Sequence, residues 1–405
     1  MIAETPRVRT IDDIDLRGRR AVVRVDLNVP VENGEVSDAT RIERIVPSLR
    51  EIIERGAAVV LLSHFGRPQG RAEPSMSLRP IAPVLAKALG LPVRFVATDW
   101  RDDGAARAAA ATKPGQVLLL ENTRFHPGEE DNDPLFAKLL AGLGDVFIND
   151  AFSAAHRAHA STEGIAHELP AAAGRSMQAE LDALERALER PERPLAAIVG
   201  GAKISTKLDL LSNLAGKVDT LIIGGAMANT FLAAQGIDVG KSLCERDLLA
   251  TARAVVDEAN ARNCRLILPS DAMLAAELKP GAASHVASVT SVRPDEMILD
   301  IGPQTIEAVA SALDHAATLV WNGPFGAFEI EPFDRGTIAV ARHAAARTGS
   351  GKLVSIAGGG DTVAALNRAG VVHEFTYVST AGGAFLEWLE GKTLPGVKVL
   401  ELKTV

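Results

Sequence analysis

The stretch Ala57-Ala58-Val59-Val60-Leu61-Leu62-Ser63-His64-Phe65-Gly66-Arg67-Pro68 decides the fold class. Its first half is an unbroken apolar run rich in β-branched residues, the pattern of a strand covered on both faces. Its second half turns abruptly polar. Ligands of open α/β sheets gather at the carboxyl ends of the strands, so this turn is also where chemistry is expected.

The same pattern recurs outward from that segment. Arg20–Asp26, Pro92–Val96, Gln116–Glu121 and Asp145–Asp150 are short strand-like runs separated by helical patterns. A second series follows with Leu195–Gly200, Asp219–Gly224, Arg265–Pro269, Thr318–Asn322, Leu353–Ala357 and Phe375–Ser379. Alternation of this kind predicts βαβ units on parallel sheets, and 405 residues exceed what one hydrophobic core usually serves. The expected architecture is two doubly wound, parallel-sheet (Rossmann-like) α/β domains.

The domains are expected at residues 1–173 and 195–390. Between them, residues 174–194 read as an interdomain helix and hinge: Met177, Leu181, Leu184 and Leu188 repeat at helical spacing, and Pro191 and Pro194 forbid continuation. Residues 391–405 are too short for a domain and are expected to pack back on the first one.

Composition excludes several classes. Hydrophobic residues at 47% and charged residues at 23% fit a globular protein, and a net charge of −8 disfavours nucleic acid or an anionic membrane as a bulk partner. The two cysteines, Cys244 and Cys264, lack metal-ligand spacing and read as packing residues. The opening residues lack the apolar core of an export signal, and no run approaches the ~20 apolar residues of a membrane span. A soluble protein of the cytoplasm is expected.

Strand ends of the first half carry arginines. Arg24-Val25-Asp26-Leu27-Asn28 is followed by Arg41; the next segments are Ser63-His64-Phe65-Gly66-Arg67, Glu121-Asn122-Thr123-Arg124 and the run from Asn149 to Arg157. One such arginine is more often a surface salt bridge. Five on four strand ends point to a small polyanion, because guanidinium forks grip carboxylate and phosphate bidentately.

The second half has glycine turns instead. Gly200-Gly201-Ala202-Lys203-Ile204-Ser205-Thr206-Lys207 reads as a turn entering a helix, with Lys203 and Lys207 four apart and hence on one helical face. Gly358-Gly359-Gly360-Asp361-Thr362 is a second such turn, in which Asp361 suits Mg²⁺ and Thr362 a phosphate oxygen. Gly224-Gly225, Asn322-Gly323-Pro324 and Gly382-Gly383 repeat the theme, which argues for a nucleotide. Two P-loop imitations, Gln235–Ser242 and the run Gly349–Lys352, fail because Gln235 and Ala346 occupy the first glycine position. A dinucleotide fingerprint is absent, which weighs against a nicotinamide-dependent oxidoreductase; a two-lobed solute-binding protein would be expected to carry an export signal.

Taken in order, R-V-D-L-N-V-P, S-H-F-G-R-P, E-N-T-R-F, N-D-A-F-S-A-A-H-R-A-H-A-S, G-G-A-K-I-S-T-K, N-G-P-F-G-A-F-E and G-G-G-D-T resemble the phosphoglycerate kinases over essentially the whole chain. The resemblance implies transfer of the acyl phosphate of 1,3-bisphosphoglycerate to Mg-ADP, giving 3-phosphoglycerate and ATP, by domain closure in a monomer. Carried over by motif, Asp26, Leu27, Asn28, Arg41, His64, Phe65, Gly66, Arg67, Arg124 and Arg157 would bind phosphoglycerate. Gly201, Lys203, Lys207, Gly224, Gly225, Asn322, Pro324, Glu329, Gly359, Gly360, Asp361 and Thr362 would bind nucleotide, with Glu329 at the ribose and Asp361 at Mg²⁺. Arg41, Lys203, Gly360 and Gly383 would meet the phosphoryl group in flight. One departure is Ala381, where the commonest pattern has glycine; alanine is expected to fit unless φ is positive there.

Overall fold

The computed structural model describes residues 7–32 and 34–402, so the first six residues and the last three of the expected returning segment lie outside the described residues. By its internal contacts the chain divides into two units, Met1–Leu181 with Thr393–Val405, and Asp182–Lys392.

In the first unit, β1 (Arg20–Val25) is followed by a small antiparallel hairpin of β2 (Val31–Glu32) and β3 (Glu35–Val36), then β4 (Ala58–Leu62), β5 (Val93–Val96), β6 (Val117–Leu120), β7 (Val146–Asp150) and β8 (Ala171–Ala173). Six of these form one parallel sheet in the order β5-β6-β4-β1-β7-β8. Register places Arg24 beside Leu62 on one side and Asn149 on the other, so β1, β4 and β7 end level with one another. The residues that follow them therefore emerge together. The helix Thr40–Glu54 buries Ile42, Ile45, Val46, Leu49 and Ile52, one helical stripe, in a core shared with Val23, Val59 and Leu61 of the sheet.

The second unit contains β9 (Leu195–Val199), β10 (Thr220–Ile223), β11 (Arg265–Ile267), β12 (Asp271–Ala275), β13 (Ser284–Ser288), β14 (Met297–Ile301), β15 (Thr318–Asn322), β16 (Val354–Gly358) and β17 (Tyr377–Ser379). Its parallel sheet runs β11-β10-β9-β15-β16-β17, the doubly wound order, with the direction of winding reversing between β9 and β15. A separate antiparallel sheet, β13-β12-β14, lies beside it in sequence. The apolar reading did not anticipate this sheet, nor β8, whose three alanines carry no β-branched signal.

The helix that begins at Arg175 runs to Leu184 and closes in a π-turn, Glu185–Glu189. The unit division falls inside it, after Leu181, instead of in a linker of its own. Its start is tied to the first unit: Arg175 Nε and Nη2 donate to Glu51 at 2.8 and 2.6 Å, Nη2 also to Asp12 at 2.7 Å, and Met177 N to Asp150 Oδ1 at 3.0 Å. The returning segment bonds there too, through Gly396 N to Ala155 O at 2.9 Å and Asn149 Nδ2 to Gly396 O at 3.2 Å.

Candidate functional site

At the level ends of β1, β4 and β7, polar side chains of the first unit form a continuous hydrogen-bonded set. Asp26 Oδ2 accepts from Arg41 Nη1 at 2.9 Å and from Ser153 Oγ at 2.5 Å, while Oδ1 accepts from Asn28 N at 2.9 Å. Arg41 Nη1 also donates to Asn28 O at 3.0 Å, and Asn28 Oδ1 accepts from Gly66 N at 2.9 Å. Arg124 Nη1 then donates to Gly66 O at 2.8 Å. Asn122 clamps these loops together: its Oδ1 accepts from Phe65 N and Arg124 N at 3.2 and 3.0 Å, and its Nδ2 donates to Phe65 O at 2.7 Å.

Positive charge dominates this set. Arg124 is depressed by burial and by the charges of Arg67 and Arg157, against a pull from Glu130 and Glu129. Glu130 lies 3.2 Å from Arg124 Nε as an ion pair whose angle is not that of a hydrogen bond. His64 is held well below the usual imidazole range by burial and then by Arg24, Arg124, His159 and Arg41, and His159 is pushed down to about 3 by burial with Arg124, Arg24 and Arg157. Both imidazoles are neutral at physiological pH. So many mutually repelling groups, with few acids to answer them, make an anion seat.

The structure joins Asp26, Asn28, Arg41, Phe65, Gly66 and Arg124 into this set, and His64 is felt by its charges while its ring bonds Arg24. Arg67 and Arg157 are exposed beside it and are felt by Arg124. Two expectations are corrected. The Leu27 side chain is fully buried in the core and its N–H is spent on Ser63 Oγ at 3.0 Å, because it alternates inward after Asp26. Arg24, counted among the five anion-seeking arginines, is buried inside the strand and bonded to protein atoms. Sequence reading gave no role to Ser153 or Asn122, although both lie inside the quoted motifs.

In the second unit the site lies where winding reverses. Lys207 Nζ donates to Gly200 O at 2.6 Å, after β9, and to Asn322 O and Oδ1 at 3.2 and 2.5 Å, at the end of β15. Burial lowers Lys207 to about 8, against the attraction of Asp361 and Glu390. Asn322 Nδ2 donates to Gly358 O at 2.8 Å, and Thr362 Oγ1 accepts from Gly323 N at 2.7 Å, leaving its hydroxyl hydrogen to donate elsewhere. A cleft of about 250 Å³ is lined by Lys207, Asn322, Gly323, Gly359, Gly360, Asp361, Thr362, Gly382, Gly383 and Leu386.

Other expected residues stand outside that lining. Gly201, Gly224, Gly225 and Pro324 belong to loops packed backbone against backbone: a Cβ on Gly225 would strike Gly201, and one on Gly200 would strike Pro324 O. Their glycines are explained by this close approach. Glu329 is exposed. Lys203 is corrected in its geometry. It stands in extended backbone (φ −133°, ψ 133°), a 3-10 turn covers Ile204–Thr206, and the α-helix starts at Leu208, so Lys203 and Lys207 do not share a helical face. The hydroxyls explain this: Thr206 Oγ1 donates to Lys203 O at 2.9 Å and Ser205 Oγ to Glu245 at 2.5 Å, competing with helical bonding. Ala381 sits at φ −90°, where alanine carries no strain.

Among the described residues no three His, Cys, Asp or Glu side chains converge as a metal cage, and no helix is long and apolar enough to cross a membrane. Asp361 is the single carboxylate lining the cleft.

Comparison with known proteins identifies the family. The sequence model described as phosphoglycerate kinase matches residues 11–392. A phosphoglycerate kinase of Methylorubrum populi is 63% identical over 98% of this chain and 99% of its own length, and one of Rhizobium meliloti is 62% identical over 97% and 98%. The solved structure of phosphoglycerate kinase from Coxiella burnetii superposes with a TM-score of 0.91 at 45% identity, covering 97% of this chain and 99% of that one. That from Pyrococcus horikoshii gives 0.81 at 30%, covering 97% and 98%.

Proposed function

This chain belongs to the phosphoglycerate kinase family, and from that premise we propose how its residues divide the work of the family's reaction. It is a phosphotransferase with a carboxyl acceptor: the acyl phosphate of 1,3-bisphosphoglycerate passes reversibly to ADP, giving 3-phosphoglycerate and ATP in glycolysis. Closure of the two domains is a general property of the family.

Phosphoglycerate sits in the cationic set of the first unit. Arg41, Arg67, Arg124, Arg157 and the Nε2–H of His64 grip its anionic oxygens, and Asp26 and Asn28 accept from its hydroxyl while holding Arg41 and Gly66 in place. The single observation that carries this assignment is the convergence of like charges at the ends of four adjacent strands, β6, β4, β1 and β7. Titration with 3-phosphoglycerate in the absence of nucleotide tests it. Binding that weakens as salt rises is expected; no binding at low salt contradicts it.

Nucleotide phosphates lie over the Gly359–Thr362 turn, with Lys207 as a point charge, Thr362 as a hydroxyl donor and Glu329 toward the ribose. The cleft suits Mg²⁺ without a protein cage, since that ion commonly takes one carboxylate and completes its shell with phosphate oxygens and water. Asp361 would hold it, and the ion supplies charge neutralisation when bound. Arg41 and Lys203 neutralise the equatorial oxygens of the phosphoryl group in transfer, with backbone N–H groups of Gly360 and Gly383. No general base is needed, because the attacking or leaving carboxylate is already ionised at neutral pH. The chain acts in the cytoplasm and as a monomer, readings supported by its net charge of −8 and two free cysteines.

A further inference from the structure

Behind the cationic set lies a buried polar chain that meets the ligand-facing groups at the ring of His64. Arg24 is 1% exposed and Glu129 0%. Arg24 Nε donates to Ser161 Oγ at 2.8 Å and its Nη1 to Val25 O at 2.5 Å. Ser161 donates in turn from Oγ to Glu129 Oε1 at 2.5 Å and from N to Oε2 at 3.0 Å. The remaining terminal nitrogen, Arg24 Nη2, lies 2.9 Å from His64 Nδ1.

The chemistry of that last contact has one solution. A guanidinium has only donors, so His64 Nδ1 must be the acceptor and must be unprotonated. The neutral ring therefore carries its hydrogen on Nε2. A neutral imidazole left to itself exchanges between two tautomers, and only this one presents a donor at Nε2. The chain also draws its members from four strand ends: Arg24 from β1, His64 after β4, Glu129 after β6 and Ser161 after β7. These are the four segments that deliver the phosphoglycerate groups.

We infer that Arg24 is a positioning residue for phosphoryl transfer: it fixes His64 in the Nε2–H tautomer that phosphoglycerate requires, and Glu129, acting through Ser161, keeps the Arg24 guanidinium aimed at the ring. The inference rests on the reading of His64 as a phosphoglycerate contact. Arg24 itself touches no substrate. Its charge, with those of Arg124 and Arg41 and the ring of His159, also opposes protonation of His64, while Asp26 and Glu129 face Arg24 and sustain its charge.

The test is ¹H–¹⁵N correlation of the histidine rings in the full-length protein, read with steady-state kinetics. Removing Arg24 alone leaves Glu129 as an unpaired buried charge that threatens folding, so the main variant is Arg24→Met with Glu129→Gln, and Arg24→Lys is the conservative control. In the wild type His64 is expected to be neutral with its proton on Nε2 at about pH 7.5. In the double variant its two ring nitrogens should exchange roles, and KM for 3-phosphoglycerate should rise at least about tenfold, the scale of one lost charge-assisted hydrogen bond. KM for ATP should hold. Arg24→Lys, which keeps a cationic donor, should recover part of both signals. A proton on Nδ1 in the wild type, or an unaltered tautomer in the double variant, overturns the inference. A scrambled tautomer with unchanged KM overturns the reading of His64 as a substrate contact, and the inference with it.

Discussion

Lys207 Nζ donates to Asn322 Oδ1 at 2.5 Å, joining the start of the helix after β9 to the end of β15 at the place where the second sheet reverses its winding. Burial holds the ammonium at about 8. A polyphosphate favours the charged form and raises the value in the complex, so ADP affinity should begin to fall as pH passes about 8 and level off only above the raised value of the complex. Lys207→Ala should weaken ADP by about 1.5–3 kcal/mol at pH 7 and abolish that pH dependence. Calorimetry from pH 7 to 9.5 reads both; a flat wild-type profile would remove Lys207 from the phosphates.

Arg67 and Arg124 separate two ways of holding an anion. Arg67 is exposed beside the seat, whereas Arg124 also supports the Gly66 carbonyl at 2.8 Å. Each alanine variant should weaken 3-phosphoglycerate by about 1.5–3 kcal/mol with ADP nearly untouched. Arg124→Lys should recover less than Arg67→Lys, because a lysine cannot serve both Gly66 O and a ligand as a planar fork does. Loss of ADP binding with phosphoglycerate intact would reverse the assignment of ligands to units.

Lys203 stands at the mouth of its 3-10 turn in extended backbone, exposed and free of the three-oxygen cradle that holds Lys207. The role proposed for it is confined to the phosphoryl group in flight. Lys203→Ala should lower kcat by at least about 10²-fold and change ADP Kd little. Near wild-type kcat in the variant would take Lys203 out of the mechanism.

Much of this was legible in the sequence, and the residues show why. Parallel strands covered on both faces give continuous apolar runs, so the strand expected over Ala57–Ser63 matches β4, Ala58–Leu62, closely. Glycine turns and strand-end arginines are local signals. Sequence reading missed what depends on pairing across the fold: β8 is built of alanine, Ser284–Ser288 has no clear alternation, and the Arg24–Ser161–Glu129 chain spans more than a hundred residues. It also placed Lys203 and Lys207 on one face, because the competition from the Ser205 and Thr206 hydroxyls is visible only once Glu245 is brought near.

Two buried carboxyls make stability depend on pH. Burial raises Asp300 to about 7, although it accepts from Gly336 N at 2.7 Å and Ile301 N at 2.8 Å, and raises Asp150 to about 6. Both lie above the ~3.9 of an unfolded aspartate, so between roughly pH 4 and 7 the folded protein binds more protons than the unfolded chain. Their contribution is full below pH 4 and is lost as pH rises to 7. Asp300→Asn should flatten the fall of Tm between pH 5 and 7.5 in calorimetric scans. An unchanged slope would mean that Asp300 is ionised across this range.

The central claim is that this chain moves an acyl phosphate between a phosphoglycerate seat in the first unit and a nucleotide cleft in the second. It is tested most directly by ATP formation from Mg-ADP and 1,3-bisphosphoglycerate, followed by a coupled assay while each substrate is varied. Saturable turnover in both substrates is expected, with KM for bisphosphoglycerate raised by Arg67→Ala and KM for ADP raised by Lys207→Ala. Absence of ATP from the folded wild-type protein, or a KM effect of each variant on the opposite substrate, would contradict the claim.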